Sequence, residues 1–329
     1  MAQVPPIIET HALTRHFKKT RAVDSLDLSI QPGELFGLVG PDGAGKTTTL
    51  RLLAGLLDIT SGSAQVAGYD LARQAEAIKR KIGYMAQQFS LYGELSVLEN
   101  LSFFSELYDV EVSELKERTG RLLAFAGLTE FKGRRAAQLS GGMQKKLALA
   151  CTLIHRPEIL LLDEPTTGVD PVSRREFWDI LTDLNLDGTT IVVSTPYMDE
   201  ADRCSRVGLM YEGRMVVCDT PQQIRARVEG ELIELRPQDW QAAHALIAAL
   251  PGVLEVQTYS ELLHVLVDSA DERLPEIEAA LAEHNLAYMD IRRTTPRMEE
   301  AFISLIKHLE SIPPPFQGGG QPQAVSGGG

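Results

Sequence analysis

Eight consecutive residues, Gly40-Pro41-Asp42-Gly43-Ala44-Gly45-Lys46-Thr47, fit the pattern G-x-x-x-x-G-K-[ST] without a gap. They follow an apolar run, Leu35 to Val39, that reads as a buried strand, and they lead into an amphipathic stretch from Thr48 to Leu57. That strand–loop–helix order is what a phosphate-cradling loop requires. Gly40, Gly43 and Gly45 let backbone N–H groups turn inward around phosphate oxygens, where a helix N-terminus adds partial positive charge. Asp42, Ala44 and Thr48 belong to the same cradle. Lys46 is expected to reach the β- and γ-phosphates, and the Thr47 hydroxyl to sit on Mg²⁺.

A second chemical segment is Ile159-Leu160-Leu161-Leu162-Asp163-Glu164-Pro165. A short apolar run ending in carboxylates reads as a buried parallel strand whose C-terminal end opens at a ligand crevice. Asp163 is expected to hold Mg²⁺, directly or through water. Glu164 is then placed to orient or deprotonate an attacking water in phosphoryl transfer. Without the upstream loop the same residues read equally well as a strand entering a turn. Between the two lies Leu139-Ser140-Gly141-Gly142-Met143-Gln144. Ser140 can cap a helix starting at Gly141 or Gly142, leaving free N–H groups at a tip that binds anions.

The order GPDGAGKT, LSGGMQ, LLLLDEP resembles the nucleotide-binding subunit of ATP-binding-cassette (ABC) proteins over about residues 5 to 225. The resemblance implies an α/β fold: a P-loop NTPase cassette with a RecA-like core, an antiparallel β subdomain and a helical signature subdomain. It implies that Phe17 stacks on adenine, although an aromatic at that place also reads as plain core. It implies that Gln87, in Gly83-Tyr84-Met85-Ala86-Gln87-Gln88, touches Mg²⁺ and the attacking water and opens a segment contacting a membrane subunit; Tyr84 and Met85 read as core. Asp170 matches a loop that signals across a dimer. Ser140, Gly141 and Gly142 would face the γ-phosphate held by a second cassette, so two ATP molecules are sandwiched head-to-tail.

One position departs from the family pattern. After the strand Thr190 to Val193 the chain reads Ser194-Thr195-Pro196-Tyr197-Met198-Asp199-Glu200-Ala201, and Pro196 stands where the family has a histidine that binds the γ-phosphate. Proline offers neither a side-chain donor nor an N–H. Losing a positioned catalytic group costs on the order of 10²–10⁴ in rate. Three explanations stand: a slow site paired with a complete one on a different cassette, substitution by Thr195 or Tyr197 within a homodimer, or a clamp that does not turn over. The first is similar to the leading cassette of tandem-cassette exporter ATPases. Asp42 also departs, standing where the family usually has asparagine.

The remaining chain bounds the problem. At 329 residues there is room for a cassette (5–228), an accessory region (229–310) and a Pro/Gly-rich flexible tail (311–329). Past Glu231, β-like runs (Glu231 to Leu235, Val253 to Thr258, Leu262 to Val267, Leu286 to Ile291) alternate with helical ones (Trp240 to Leu250, Arg273 to His284). That order, β-α-β-β-α-β, suggests a small ferredoxin-like α+β domain. A last helix, Met298 to Leu309, is expected to pack back on the body.

No stretch approaches the roughly 20 apolar residues of a membrane span, and the N-terminus lacks signal-peptide features. Cys151, Cys204 and Cys218 have no metal-like spacing and suit a reducing compartment. The seven histidines read as structural or solvated. From Glu231 to Glu310 there are 15 acidic and 6 basic residues, −9 of the chain's −13, which argues against nucleic-acid binding. Within about 90–150, Leu98, Leu101, Phe104 and Leu107 are expected on one helix face, and Phe89, Leu91 and Tyr92 as docking residues or core.

The sequence thus points to an ATPase that binds ATP and Mg²⁺, works with membrane-spanning permease subunits and a second cassette, and sits on the cytoplasmic face of the inner or plasma membrane. Export is the transport direction the resemblance implies. The alternatives are a soluble ABC protein acting on ribosomes or nucleic acid, and a silent regulatory cassette.

Overall fold

A computed structural model describes residues 4–88 and 91–311, with side chains as far as Lys307. Phe89, expected as a docking residue or core, and the tail beyond Ser311 lie outside the described residues. An antiparallel sheet is built from β1 (Ile8–Phe17), β2 (Thr20–Ile30), β4 (Ser61–Val66) and β5 (Tyr69–Asp70). A second sheet is built from β3 (Leu35–Val39), β6 (Ile82–Met85), β7 (Ile159–Asp163), β8 (Thr190–Thr195), β9 (Arg206–Tyr211) and β10 (Arg214–Asp219). Its order is β10-β9-β3-β8-β7-β6, parallel throughout except for the β9–β10 pair. Every residue of β3, β7 and β8 is buried. That follows from the apolar runs at 35–39, 159–162 and 191–193, which suit a sheet covered on both faces.

Helix α1 (Lys46–Leu53) follows β3, and α2 (Ala75–Lys81) runs directly into β6. The first is shorter than the Thr48 to Leu57 stretch implied. Gly55, at φ +64°, takes the left-handed conformation that ends a helix. Then come α3 (Val97–Leu107), α4 (Val112–Phe125) and α5 (Gly141–Leu153), the expected helical subdomain, and α6 (Pro171–Leu186), α7 (Met198–Ala201) and α8 (Pro221–Arg225). A capping box starts α3, with Ser96 and Glu99 each bonding the other's backbone N–H.

The expected face of α3 is corrected. Leu101 is buried, but Leu98 and Leu107 are exposed, at 42% and 60%. At 3.6 residues per turn, nine residues leave Leu107 about 180° around the helix from Leu98. The inward stripe is instead Val97, Leu101 and Phe104, spaced by four and three.

Two cores result. One joins the helical region to the sheet through Leu101, Leu147, Leu162, Phe177 and Trp178. The other lies between the two sheets around Leu38, Leu50, Ile78 and Leu161.

The third sheet comprises β11 (Glu231–Pro237), β12 (Val253–Tyr259), β13 (Leu262–Val267) and β14 (Tyr288–Thr294), in the order β12-β13-β11-β14. With α9 (Trp240–Ile247) and α10 (Ala270–Glu283) the chain order is β-α-β-β-α-β, as the periodicity implied. Ile233, Leu263 and Val265 meet Ala243, Ile247, Ile277 and Leu281 in a separate core. The last strand begins two residues later than expected. Asn285 sits at φ +55° in the turn after α10, and Leu286 packs on the core before the strand starts.

The last helix, α11 (Met298–Ser311), does pack back: Met298 and Ala301 are buried in the same core as Ala201, Cys204 and Ile224. Among the described residues no helix is long and apolar enough to cross a membrane.

Candidate active site

The site lies where β3, β7 and β8 end. The phosphate loop leaves β3 and enters α1 through Gly45, whose φ of +102° is a left-handed conformation at the helix N-cap. A Cβ there would stand 2.4 Å from the Ala22 carbonyl oxygen, and one at Gly40 2.2 Å from that of Met210. Only glycine admits the strand backbones that brace the loop from outside.

Lys46 is buried and folds back over the loop. Its Nζ donates to the carbonyl oxygens of Gly40 (2.7 Å) and Pro41 (2.9 Å) and lies 3.7 Å from Glu164 Oε1. Burial pushes the ammonium pKa down, while Glu164, Asp42 and Asp163 work in the opposite direction. Lys46 thus rests on loop carbonyls beside a carboxylate, an arrangement that an incoming phosphate, with more negative charge and more acceptor oxygens, can displace.

Asp163 is fully buried. Its Oδ1 accepts hydrogen bonds from Thr47 Oγ1 (2.9 Å) and Ser194 Oγ (2.8 Å), and Tyr84 Oη donates to Oδ2 at 3.4 Å. Glu164, the next residue, has φ +46°, a left-handed conformation that costs a non-glycine residue on the order of 1–3 kcal/mol. The turn is pinned because the Glu164 N–H donates to Ser194, at 3.1 Å to its carbonyl and 3.0 Å to its Oγ. The Glu164 carboxylate accepts from Gln87 Nε2 (2.7 Å) and Thr167 Oγ1 (3.2 Å).

A cavity of about 560 Å³ opens here, lined by Asp42 to Thr48, Gln87 and Glu164, with Thr20, Arg21, Ala22 and Glu212 on the far wall. Hard oxygens suit Mg²⁺, which takes one or two protein ligands and completes its shell with phosphate and water. The adjoining Thr47 hydroxyl and Asp163 carboxylate fit that demand. Gln87 is turned toward Glu164, and its carbonyl oxygen accepts from Lys145 Nζ at 2.6 Å. Among the described residues no three His, Cys, Asp or Glu side chains could hold a metal together, so a cation bound here would depend on oxygens from its ligand.

The other expected residues stand outside that cavity wall. Ser140 caps α5, accepting the Met143 N–H at 3.3 Å, and it is exposed together with Gly141. Gly142 is buried where a Cβ would press to 2.6 Å on Ser173, so α5 and α6 pack closely through it. Asp170 caps α6 by accepting from Val172 and Ser173, N–H groups that hold its carboxyl below the usual range. Phe17 is 42% exposed at the end of β1, with the Arg15 guanidinium 4.8 Å from its ring centroid.

Pro196 follows β8. Its neighbours are engaged elsewhere: the buried Thr195 hydroxyl donates to Glu200 (2.6 Å), and the Tyr197 ring lies under Arg174, 4.6 Å from the guanidinium carbon.

Three working residues escaped the sequence reading. Ser194 holds both acidic residues; the signal available was its register opposite Asp163 in the parallel β7–β8 pair. Lys145, one helical turn past the signature glycines, holds Gln87. Tyr84, read as core, is half-buried with its hydroxyl on Asp163, and burial pushes that phenol's pKa up. Leu91 belongs to the core, whereas Tyr92 is half exposed. Leu56, Lys79, Arg80, Leu107, Tyr108 and His155 line an open groove of about 600 Å³.

Comparison with known proteins agrees with this geometry. The family described as ABC transporter matches residues 23–167. The probable multidrug ABC transporter ATP-binding protein YbhF of Escherichia coli is 41% identical over 295 residues, 87% of this chain and 49% of that one. The chain therefore spans about half the length of that relative. LnrL of Bacillus subtilis, a linearmycin resistance ATP-binding protein, is 30% identical over 304 residues, 91% of this chain and 98% of its own. DrrA of Streptomyces peucetius, a daunorubicin/doxorubicin resistance ATP-binding protein, is 33% identical and matched over 92% of each chain. Among solved structures, a dimeric post-hydrolysis state of the ATP-binding cassette MJ0796 bound to ADP and Pi superposes with a TM-score of 0.60. It is 28% identical, covering 65% of this chain and 98% of that one. A phosphate loop, a paired acidic turn and a capped signature helix in one fold, together with these relatives, define its kinship: the chain belongs to the ATP-binding proteins of the ABC transporter family.

Proposed function

We propose that this ATPase powers an exporter through an ATP-dependent head-to-tail clamp, and that its own site turns over slowly. The observation that carries the proposal is a division within the molecule. Lys46, Thr47, Gln87 and Glu164 converge on one cavity backed by Asp163, while the exposed tip at Ser140 and Gly141 stands apart from it. An exposed helix tip whose first N–H groups have no intrahelical partners suits an anion presented by another molecule.

In this reading the phosphate loop binds ATP, Thr47 and Asp163 hold Mg²⁺, and Phe17 supports the base. Bound between Thr47 and Asp163, Mg²⁺ would supply positive charge to offset the charge that develops on the phosphates. Glu164, held by Gln87 and Thr167, orients or deprotonates the attacking water. Ser140, Gly141 and Gly142 serve the ATP of a second cassette, and Asp170 faces that partner.

Pro196 leaves the γ-phosphate without one donor. The commitments of Thr195 to Glu200 and of Tyr197 to Arg174 weigh against either acting as its replacement. That favours pairing with a non-identical cassette whose site is complete. Drug or resistance-type cargo is suggested by the multidrug and antibiotic-resistance relatives. A permease partner is consistent with the groove beside Leu107 and Tyr108 and with the exposed Tyr92, and it would hold the chain at the inner face of the membrane.

The test is steady-state ATPase activity of the purified chain, wild type beside Pro196→His and Glu164→Gln. Clear ATP binding with slow turnover in the wild type is expected. Fast turnover abolished by Glu164→Gln would instead mean a competent homodimer.

A further inference from the structure

Away from the cavity, one buried carboxylate ties together three segments to which the clamp reading gives different tasks. Glu200, in α7, is 2% exposed. Its Oε1 accepts from Thr166 Oγ1 (2.8 Å) and lies 3.3 Å from Arg174 Nε; its Oε2 accepts from Thr195 Oγ1 (2.6 Å). Thr166 is two residues past Glu164, in the turn leaving β7. Thr195 immediately precedes Pro196. Arg174 lies one helical turn past Asp170, the cap of α6, and it also pairs with Asp199 and covers Tyr197.

Both threonine hydroxyls are almost completely buried, so neither can turn to water if the carboxylate is lost. A buried ion pair whose remaining lone pairs are filled by hydroxyl donors is rigid, and breaking it leaves charge uncompensated. The three segments are therefore held in one arrangement. Residue 196 cannot tie its loop to a phosphate, because proline carries no donor. What orients that loop in this chain is the pair of residues flanking it, Thr195 and Tyr197, and both answer to the Glu200–Arg174 pair.

The geometry points to Glu200, with Arg174, as a positioning residue that couples the nucleotide cavity to the Asp170 surface. Its carboxylate links the turn after Glu164 to the first turn of α6, so a change at the phosphate end is passed to the partner-facing loop without the missing histidine. This rests on the nucleotide-clamp reading above, which supplies the two ends being coupled.

The experiment is hydrogen–deuterium exchange on the full chain with and without Mg²⁺ and the β,γ-imido analogue of ATP, alongside nucleotide affinity and thermal midpoint. In the wild type the analogue should slow exchange in peptides spanning 40–50 and 166–176. In Glu200→Gln, nucleotide affinity and protection of 40–50 should persist while the nucleotide-dependent protection of 166–176 disappears. Arg174→Met, a change at a partly exposed side chain that leaves both threonine hydrogen bonds to Glu200 in place, should give the same separation in a chain that still unfolds cooperatively. It keeps the test decisive if Glu200→Gln folds poorly.

Nucleotide-dependent protection of 166–176 that survives in Arg174→Met, or in a folded Glu200→Gln, would overturn the inference. So would a lowered midpoint with both peptides still responding, since that marks packing alone. Absence of analogue binding by the wild type would remove the clamp reading itself, and the coupling with it.

Discussion

The phosphate cavity and the Pro196 segment stand at the same end of one sheet, after neighbouring parallel strands, yet they are built on opposite terms. In the cavity, groups that would serve a ligand hold one another: Lys46 on loop carbonyls, Thr47 on Asp163, Gln87 on Glu164. Each contact is one that a phosphate, a cation or a water could replace. Around Pro196 the polar groups serve the protein: Thr195 and Thr166 satisfy a buried carboxylate, and Arg174 closes the set. The first region is organised to exchange partners and the second to keep them. Pro196 therefore sits in a well-ordered segment whose polar neighbours are satisfied within the protein.

The largest expected effect belongs to Glu164→Gln. Removing a general base should lower whatever turnover the chain has by about 10²–10⁴ while ATP still binds; an unchanged rate would show the first region to be as inert as the second. Lys46→Ala comes next. It deletes the loop's only side-chain cation, and charged hydrogen bonds of about 1.5–3 kcal/mol imply roughly 10- to 100-fold weaker ATP binding, measured by titration calorimetry.

Pro196→His probes the contrast directly. A rise in turnover of about tenfold, below the full range for a catalytic group because Thr195 and Tyr197 stay tethered, is expected in steady-state assays. No rise would mean that the tether excludes the new imidazole from the phosphate. The smallest change is Phe17→Ala. A lost base–aromatic stack of about 1–2 kcal/mol should weaken adenine nucleotides on the order of tenfold and leave inorganic triphosphate unaffected. Equal losses for both ligands would return Phe17 to a packing role.

The cavity was legible because its residues are consecutive or end a strand. The pattern from Gly40 to Thr47 dictates its own backbone, and Leu160 to Glu164 reads as a strand delivering two carboxylates. Residues whose roles depend on neighbours in another strand were not legible in this way. Ser194 acts through its register with Asp163, and Lys145 through the loop that brings Gln87 across α5. The face of α3 failed for a simpler reason, since spacing by threes drifts around a helix and only alternating fours and threes keep to one side. The third sheet was recovered because period-two and period-3.6 runs alternate cleanly there. Its last strand shifted because Leu286 is apolar for the core rather than for the sheet.

Helix α11 has a practical consequence. Met298 and Ala301 are covered by the cassette as fully as its own interior residues, and Phe302 meets the ring of Tyr211 edge-on at 6.4 Å. Trimming the gene after the cassette proper would not free a tidy minimal enzyme. It would lay bare Ala201, Cys204 and Ile224 as a greasy scar beside the loop that carries Pro196, inviting aggregation and degradation. Whoever seeks a shorter working version should keep this helix and shorten the loops of the third sheet without ending the chain there.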